Sequence, residues 1–186
     1  MSFTTTPRSY VKKAEIKLCL GCGEYLLNPP YVNVDRRIPA AFDKDIHRLK
    51  VHDITKPLPW ENGSVGHIVL HHALEHMTYE QGQELLEQCY RVLRKGGTMS
   101  LITPDFDWLV TKYRDQVETL PYTANLMLFC EGPEGDKHRS AWTKVLLTRA
   151  AWKAGFFVDP DVPIDDFPNV VASVDWQCGI WCIKKK

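Results

Sequence analysis

The stretch IKLCLGCG, residues 16–23, is an apolar run that ends in two glycines, and it decides the fold. Ile16–Leu20 has the length and the glycine-bounded ending of a buried β-strand. Gly21 and Gly23 carry no side chain, so a ligand can lie directly across the backbone at the end of this strand. The stretch therefore predicts an α/β sheet with a ligand site at the carboxyl end of its first strand.

Acidic residues at the ends of the next two strands point to a nucleoside ligand. The apolar run Tyr31–Val34 ends at Asp35, and the run Val51–Ile54 contains Asp53. A carboxylate after the second strand can accept hydrogen bonds from both ribose hydroxyls, and one after the third can accept from the exocyclic amine of adenine. Each aspartate alone is more typical of a turn cap. The pair beside a glycine turn favours the nucleoside site.

The remaining chain alternates strands and helices. Further strands are predicted at Val65–Leu70, Met99–Thr103, Val170–Val174 and Gly179–Ile183, the last two pairing antiparallel. Helices are predicted at Thr78–Arg94, Phe106–Val117 and Ala141–Ala154. This order indicates a layered α/β domain, in which ligands bind at the carboxyl ends of the strands.

Two of these helices have recognisable ends. Thr78 and Gln81 are spaced to form a capping box, and Gly96 lies where a left-handed residue ends a helix. The third helix is expected to stop before Gly155. Its predicted inward-facing residues are Val145, Leu146, Ala150 and Ala154.

Composition excludes several classes of protein. The chain has 186 residues, 44% of them hydrophobic, which is typical of one globular domain, here residues 1–186. Lys plus Arg and Asp plus Glu both number 23, so no net field favours nucleic acid or an anionic membrane. No apolar run is long enough for a transmembrane helix or a signal peptide. We therefore expect a cytoplasmic protein whose six cysteines are reduced.

At this point the chain resembles the class I, Rossmann-like S-adenosylmethionine-dependent methyltransferases, and in particular the small type-11-like group. The matching segments are IKLCLGCG at 16–23, VNVD at 32–35, HDITKPLPW at 52–60, VGHIVLHHALEHM at 65–77, VLRKGGTMSLITPD at 92–105 and LLTRAAWKAGF at 146–156. The resemblance implies a single-domain three-layer sandwich around a mostly parallel seven-stranded sheet with an antiparallel C-terminal strand. It also implies the cofactor S-adenosylmethionine.

The same resemblance implies a set of cofactor-binding residues. They are Leu20, Gly21, Cys22, Gly23, Asp35, Arg36, Asp53, Ile54, Leu70 and His71. The chain departs from the family pattern at Tyr25, where a third glycine is usual, and Asp35 follows Gly21 by only fourteen residues. The first crossover helix must therefore be short or absent. The same spacing weighs against a dinucleotide-binding GxGxxG turn.

Three residues are candidates for the catalytic step. His71 is expected in the methyl-donor pocket, Asp105 on the acceptor side, and His76 as a further base near the strand ends. The stretch 115–140 is expected to be a variable substrate lid, and 1–14 an N-terminal extension. We expect the acceptor to be a small molecule; the sequence does not indicate an oligomeric state.

Other interpretations remain open. His72–His76 matches HxxEH, the inverted zinc-peptidase motif, although it follows a strand instead of lying inside a helix. Cys19 and Cys22 form a CxxC pair, which together with Cys178 and Cys182 could hold zinc. Neither pattern is favoured, and no metal is expected. A cofactor-fold scaffold without catalysis is the main alternative to an enzyme.

Overall fold

A seven-stranded mixed sheet organises the residues that the computed structural model describes, which are 15–38, 49–115, 137–168 and 174–186. The strands are β1 (Ile16–Leu20), β2 (Tyr31–Asp35), β3 (Leu49–Val51), β4 (Val65–His71), β5 (Leu93–Pro104), β6 (Phe157–Asp159) and β7 (Gln177–Ile183). Their order across the sheet is β3-β2-β1-β4-β5-β7-β6. The first five strands pair in parallel, and β7 runs antiparallel to both β5 and β6. The predicted Rossmann-like sheet is confirmed.

Three α-helices lie within the described ranges. They are α1 (Tyr79–Val92), α2 (Phe106–Asp115) and α3 (Lys144–Lys153), and short 3-10 helices occupy Leu74–His76 and Ile164–Asp166. The predicted capping box is present, because the Thr78 hydroxyl accepts from the Gln81 N–H and the Gln81 side chain accepts from the Thr78 N–H. The prediction that Gly96 ends α1 is wrong. Its φ is +72°, but it lies inside β5, and the C-cap of α1 is Leu93 in an extended conformation.

The capping box makes a prediction about stability. Thr78→Ala removes the acceptor for the Gln81 N–H and should lower the free energy of unfolding by about 1 kcal/mol, the usual value for such a cap. Thr148→Ala is the matched control, since the Thr148 hydroxyl only donates back to the Lys144 carbonyl within α3. Urea denaturation of both variants measures the difference. Equal stability of the two variants would show that the box contributes nothing.

Helix α3 faces the core with different residues from those predicted. Val145 is 56% exposed and Leu146 is 36% exposed, so their predicted inward orientation is wrong. Leu147, Ala150 and Ala151 are the buried positions of the helix, and Ala150 and Ala154 are buried as predicted. The helix begins after Thr143, whose side chain accepts from the Leu146 N–H. Leu147, Ala150 and Ala151 belong to the main core, so packing against the sheet decides which face of the helix is buried.

The two faces of the sheet are covered differently. Leu18 and Leu20 of β1 point to the face that packs against Leu86 of α1 and Leu147 of α3 in the main core. Cys19 points to the other face, where it packs in a second cluster. That cluster also contains Cys22, Leu26, Leu27, Tyr31, Leu49 and Val69. Among the described residues, a loop covers this end of the second face.

The connection from β1 to β2 confirms the short first crossover. Residues 21–30 contain no helix, and the Tyr25 N–H donates to the Cys22 carbonyl in a turn (2.9 Å). A three-layer arrangement predicts a helix between β1 and β2, but residues 21–30 are too few to form a crossover helix. At the other end of this face, the side chains of Ile164 and Phe167 pack against Gly179 of β7. The second layer is thus thin wherever the structure describes it.

Several other predictions have definite outcomes. The third strand is Leu49–Val51 instead of Val51–Ile54, so Asp53 lies in the turn that follows it. The predicted strand Val170–Val174 lies outside the described residues except for Val174, and the antiparallel neighbours of β7 are β5 and β6. The extension 1–14 and most of the lid 115–140 also lie outside the described residues.

Five described cysteines carry free, buried thiols: Cys19, Cys22, Cys89, Cys178 and Cys182. No described helix has the length and apolarity that crossing a bilayer requires.

Candidate functional site

The turn after β1 is shaped by its two glycines. Gly21 and Gly23 have φ of +65° and +50°, in the left-handed region. A side chain at Gly21 would place its Cβ 2.8 Å from the Cβ of Ala73 and 3.5 Å from the Cδ1 of Ile54. A side chain at Gly23 would meet no atom within 4 Å. Gly21 therefore allows close packing of three chain segments, while Gly23 leaves open space.

Asp35 lies directly against this turn. Its Oδ2 accepts a hydrogen bond from the Gly23 N–H at 2.9 Å, and its Oδ1 accepts from the Arg37 N–H at 3.2 Å. The Gly21 N–H, just after β1, donates to the carbonyl of Val34 on β2 at 2.8 Å. The ends of β1 and β2 are thus joined by hydrogen bonds. Asp35 lies beside the glycine turn, as the sequence predicts.

Asp53 reaches the same edge through the turn after β3. The neighbouring His52 N–H donates to the Asp35 carbonyl at 2.8 Å, which ties this turn to the end of β2. Asp53 Oδ1 accepts from the backbone N–H and the hydroxyl of Thr55 at 2.9 and 2.7 Å. Burial alone would raise the pKa of Asp53, but these hydrogen bonds and the nearby Lys56 lower it. The second acid is therefore held as a carboxylate.

The other predicted cofactor residues differ in what they can present. Leu20 and Leu70 are fully buried in the main core, so only their backbone is directed to the strand ends. Cys22 is buried, and burial raises the pKa of its thiol to about 12. Arg36 is exposed beside Asp35, and Ile54 contacts the Gly21 turn. The structure thus brings the glycine turn, both acids and Ile54 to one edge.

His71, the last residue of β4, is held on the second face of the sheet. Its Nε2 lies 2.9 Å from the Ser100 Oγ, and its ring is tilted against Phe167 with centroids 6.5 Å apart. Burial lowers the pKa of His71 to about 3. A general base works best with a pKa near the operating pH. A neutral imidazole with so low a pKa is suited to shaping the pocket rather than to taking a proton.

The low pKa of His71 predicts a pH dependence of stability. The unfolded imidazole titrates near pH 6.5 and the folded one near 3, so between these values only the unfolded chain binds the proton. Stability therefore falls as the pH drops through this window. His71→Gln should make the slope between pH 6 and 4 shallower by about 1 kcal/mol per pH unit, measured by urea denaturation. Parallel curves for the two proteins would contradict it.

Asp105 follows β5 and begins α2. Its N–H donates to the Trp176 carbonyl at 2.8 Å, and its Oδ1 accepts from the Asp107 N–H at 3.1 Å. Burial raises the pKa of this carboxyl. The carboxylate therefore has both a structural role at the helix start and a shifted affinity for protons.

The HxxEH segment forms a 3-10 turn instead of an α-helix. His72, with φ of +51°, contacts Gln177 through Nε2 at 2.7 Å and Glu75 through Nδ1 at 3.2 Å. His76 packs instead against His138, with ring centroids 4.9 Å apart. The two histidines of the motif are therefore engaged in different contacts, and the helical geometry of the peptidase motif is absent.

Sequence reasoning missed residues whose importance depends on long-range packing. Ala73 closes over Gly21, and Ser100 bonds His71 across neighbouring strands. Asn33 is buried at 1% exposure and exchanges two hydrogen bonds with the backbone of Leu27, which fixes the loop after the glycine turn. A polar residue inside the apolar run VNVD was the available signal for Asn33; Ala73 and Ser100 carried none.

Comparison with known protein families finds a match over the central part of the chain. A family model described as a methyltransferase domain matches residues 18–101, the segment from β1 to β5. It therefore contains the glycine turn, both acids and the end of β4. No curated protein sequence matches this chain significantly.

Solved structures share the fold at low sequence identity. A SAM-dependent methyltransferase from Methanosarcina mazei is 14% identical, with 97% of each chain covered and a TM-score of 0.58. A Pyrococcus horikoshii protein is 16% identical over 95% of this chain and 84% of its own, with a TM-score of 0.62. Human N-acetylserotonin methyltransferase, solved with SAM, is 19% identical over 92% of this chain and 48% of its own, with a TM-score of 0.58.

Proposed function

We propose that this chain methylates a small-molecule acceptor. Its residues 18–101 match a methyltransferase domain, and its fold is that of solved S-adenosylmethionine-dependent methyltransferases. The domain and the fold assign the reaction class and the cofactor. The acceptor class and the residue roles are proposed. The observation that carries the proposal is the hydrogen bond between Asp35 Oδ2 and the Gly23 N–H, because it holds a carboxylate, a group suited to accept from ribose hydroxyls, beside a turn where a side chain at Gly23 would meet no atom within 4 Å.

The residues at this edge fit an adenosyl group. Each oxygen of Asp35 accepts one backbone N–H, which leaves each with acceptor capacity for a ribose hydroxyl. Asp53 is held ionised beside the Ile54 backbone, where an adenine amine can donate to it. The open space at Gly23 accommodates the part of the cofactor that crosses the end of β1. The carboxyl ends of the strands, where these residues lie, are where ligands bind in parallel α/β sheets.

The bound cofactor supplies an electrophilic methyl group on a sulfonium. The protein then has to hold the acceptor atom in line with that methyl group and exclude water, for which orientation alone can contribute several kcal/mol. His71, neutral and fixed by Ser100, forms a wall of this pocket. Asp105, whose pKa is raised by burial, is the group that takes a proton from a hydroxyl or amine acceptor.

Two further parts of the proposal rest on composition. The balance of 23 basic and 23 acidic residues supports a small acceptor over a nucleic acid. The free thiols of the five described cysteines are those expected in a reducing compartment, which supports a cytoplasmic enzyme. The stretch 115–140 is proposed as the segment that selects the acceptor.

Label transfer tests the proposal. The purified protein is incubated with methyl-labelled S-adenosylmethionine and a fractionated metabolite extract, and labelled products are sought by mass spectrometry. A labelled small molecule that is absent with Asp105→Asn is the expected result. Label that appears only on RNA or protein would overturn the acceptor class. Cofactor binding without any transfer would favour the non-catalytic scaffold, which the missing first crossover helix also accommodates.

A further inference from the structure

A cluster of metal-ligating side chains lies outside the proposed cofactor contacts. Glu75 and His76 belong to the 3-10 turn after β4, and His138 comes from the segment before α3. One ligand atom from each of the three side chains lies within 4.8 Å of the other two. Since His138 is 62 residues beyond His76 in the chain, the fold alone brings these groups together.

Two side chains of the cluster each have a buried polar atom without a hydrogen-bond partner. Within the described part of the chain, Glu75 Oε2 and His76 Nδ1 are buried and have no hydrogen-bond partner. The Glu75 side chain is only 3% exposed. A buried carboxylate oxygen without a partner is costly, because it has lost water and gained nothing in return. These two atoms are therefore available to bind a ligand between the side chains.

The surrounding backbone fixes the cluster. The N–H groups of Arg139 and Ser140 both donate to the Glu75 carbonyl, at 2.7 and 3.2 Å. The Ser140 hydroxyl donates to the Leu74 carbonyl at 3.2 Å, and the Trp142 indole donates to that hydroxyl at 2.8 Å. The segment that carries His138 is thus fastened to the turn that carries the other two groups.

We propose that Glu75, His76 and His138 bind a divalent first-row transition-metal ion of the zinc type. Two imidazoles and one carboxylate are ligands that such ions prefer, and they leave a further position for water. Ligands on one zinc ion lie roughly 3.5 Å apart when the metal–ligand distance is about 2.1 Å, so small side-chain rotations close the set. His72 Nδ1 lies 3.2 Å from Glu75 Oε1 and thereby holds the carboxylate in place.

This site differs from the inverted peptidase motif that the sequence contains. In that motif both histidines bind the metal and the glutamate acts as a base. Here His72 faces Gln177 and Trp176, and the carboxylate of Glu75 itself joins His76 and His138. The proposed site does not depend on methyl transfer, and its test uses no enzyme activity.

Metal binding is measured on the full chain after treatment with a chelator. Calorimetric titration with Zn²⁺ should give saturable binding, and Co²⁺ should give the visible absorption of a low-symmetry nitrogen and oxygen site. His76→Gln and His138→Gln should each weaken Zn²⁺ binding by about a hundredfold or more, because each removes a direct ligand, and changing a residue that only hydrogen-bonds a ligand already costs about ten- to a hundredfold. Lys137→Gln, an exposed neighbour without a ligand atom, is the matched control.

The comparison between variants decides the outcome. Free thiols can also bind Zn²⁺, but the two histidine variants leave every cysteine unchanged. Zn²⁺ bound by thiols would therefore remain in both variants. No saturable Zn²⁺ binding by the unaltered protein would overturn the proposal. So would Zn²⁺ affinity that survives in both His76→Gln and His138→Gln. Circular dichroism of His138→Gln, altered only in a half-buried surface side chain, confirms that the comparison is between folded proteins.

Discussion

Asp35→Ala is expected to weaken S-adenosylmethionine binding roughly a hundredfold, a loss of about 3 kcal/mol. The carboxylate that would accept both ribose hydroxyls is removed, and each hydrogen bond to a charged group contributes about 1.5–3 kcal/mol. The same change removes the hydrogen bond that the Gly23 N–H donates to Asp35 Oδ2, so the glycine turn also becomes less well ordered. Isothermal titration with S-adenosylmethionine and with its demethylated product measures the loss.

Asp159→Ala is the matched control for this experiment. Asp159 also ends a strand, and its Oδ1 accepts the N–H two residues ahead, from Asp161 at 3.1 Å, as Asp35 Oδ1 does from Arg37. It lies on β6, at the opposite edge of the sheet from the proposed site. The control should bind the cofactor with unchanged affinity. Equal affinity of Asp35→Ala and the unaltered protein would remove Asp35 from the site.

The parts of the fold that could be predicted are those encoded by local patterns. Ile16–Leu20 was predicted with its observed bounds because its apolar run and glycine boundary are both local. The Thr78 capping box likewise depends on residues three apart. The face of α3 was mispredicted because its periodicity permits several registers, and the burial of Val145 or Leu147 is decided by contacts with the sheet. Local sequence does not contain those contacts.

The site follows the same division. The proximity of Asp35 to Gly23 was predictable, because the ends of neighbouring parallel strands meet at one edge of the sheet. The fall of the His71 pKa was not, since it depends on burial beneath Phe167 and beside Ser100. The approach of His138 to Glu75 was also not predictable, because it is set by backbone hydrogen bonds across a large separation in sequence.

Gly21→Ala is expected to lower the free energy of unfolding by about 3 kcal/mol, or roughly 10 °C in melting temperature for a domain of this size. Alanine at φ of +65° is strained by about 1–2 kcal/mol. Its Cβ would also lie 2.8 Å from the Ala73 Cβ, a contact that neither backbone can relieve without moving. Differential scanning calorimetry without ligand measures the loss.

Gly23→Ala separates the packing role of the turn from its binding role. At φ of +50° it carries similar backbone strain, but its Cβ meets no atom within 4 Å, so a loss of only about 1 kcal/mol is expected. The added methyl group instead takes up part of the open space at the turn, so Gly23→Ala should lose more cofactor affinity than its smaller loss of stability suggests. Gly21→Ala should thus be the less stable protein in calorimetry, and Gly23→Ala should be the weaker binder in cofactor titration. If Gly21→Ala proved the more stable protein, or if Gly23→Ala bound the cofactor normally, the division of roles between the two glycines would be wrong.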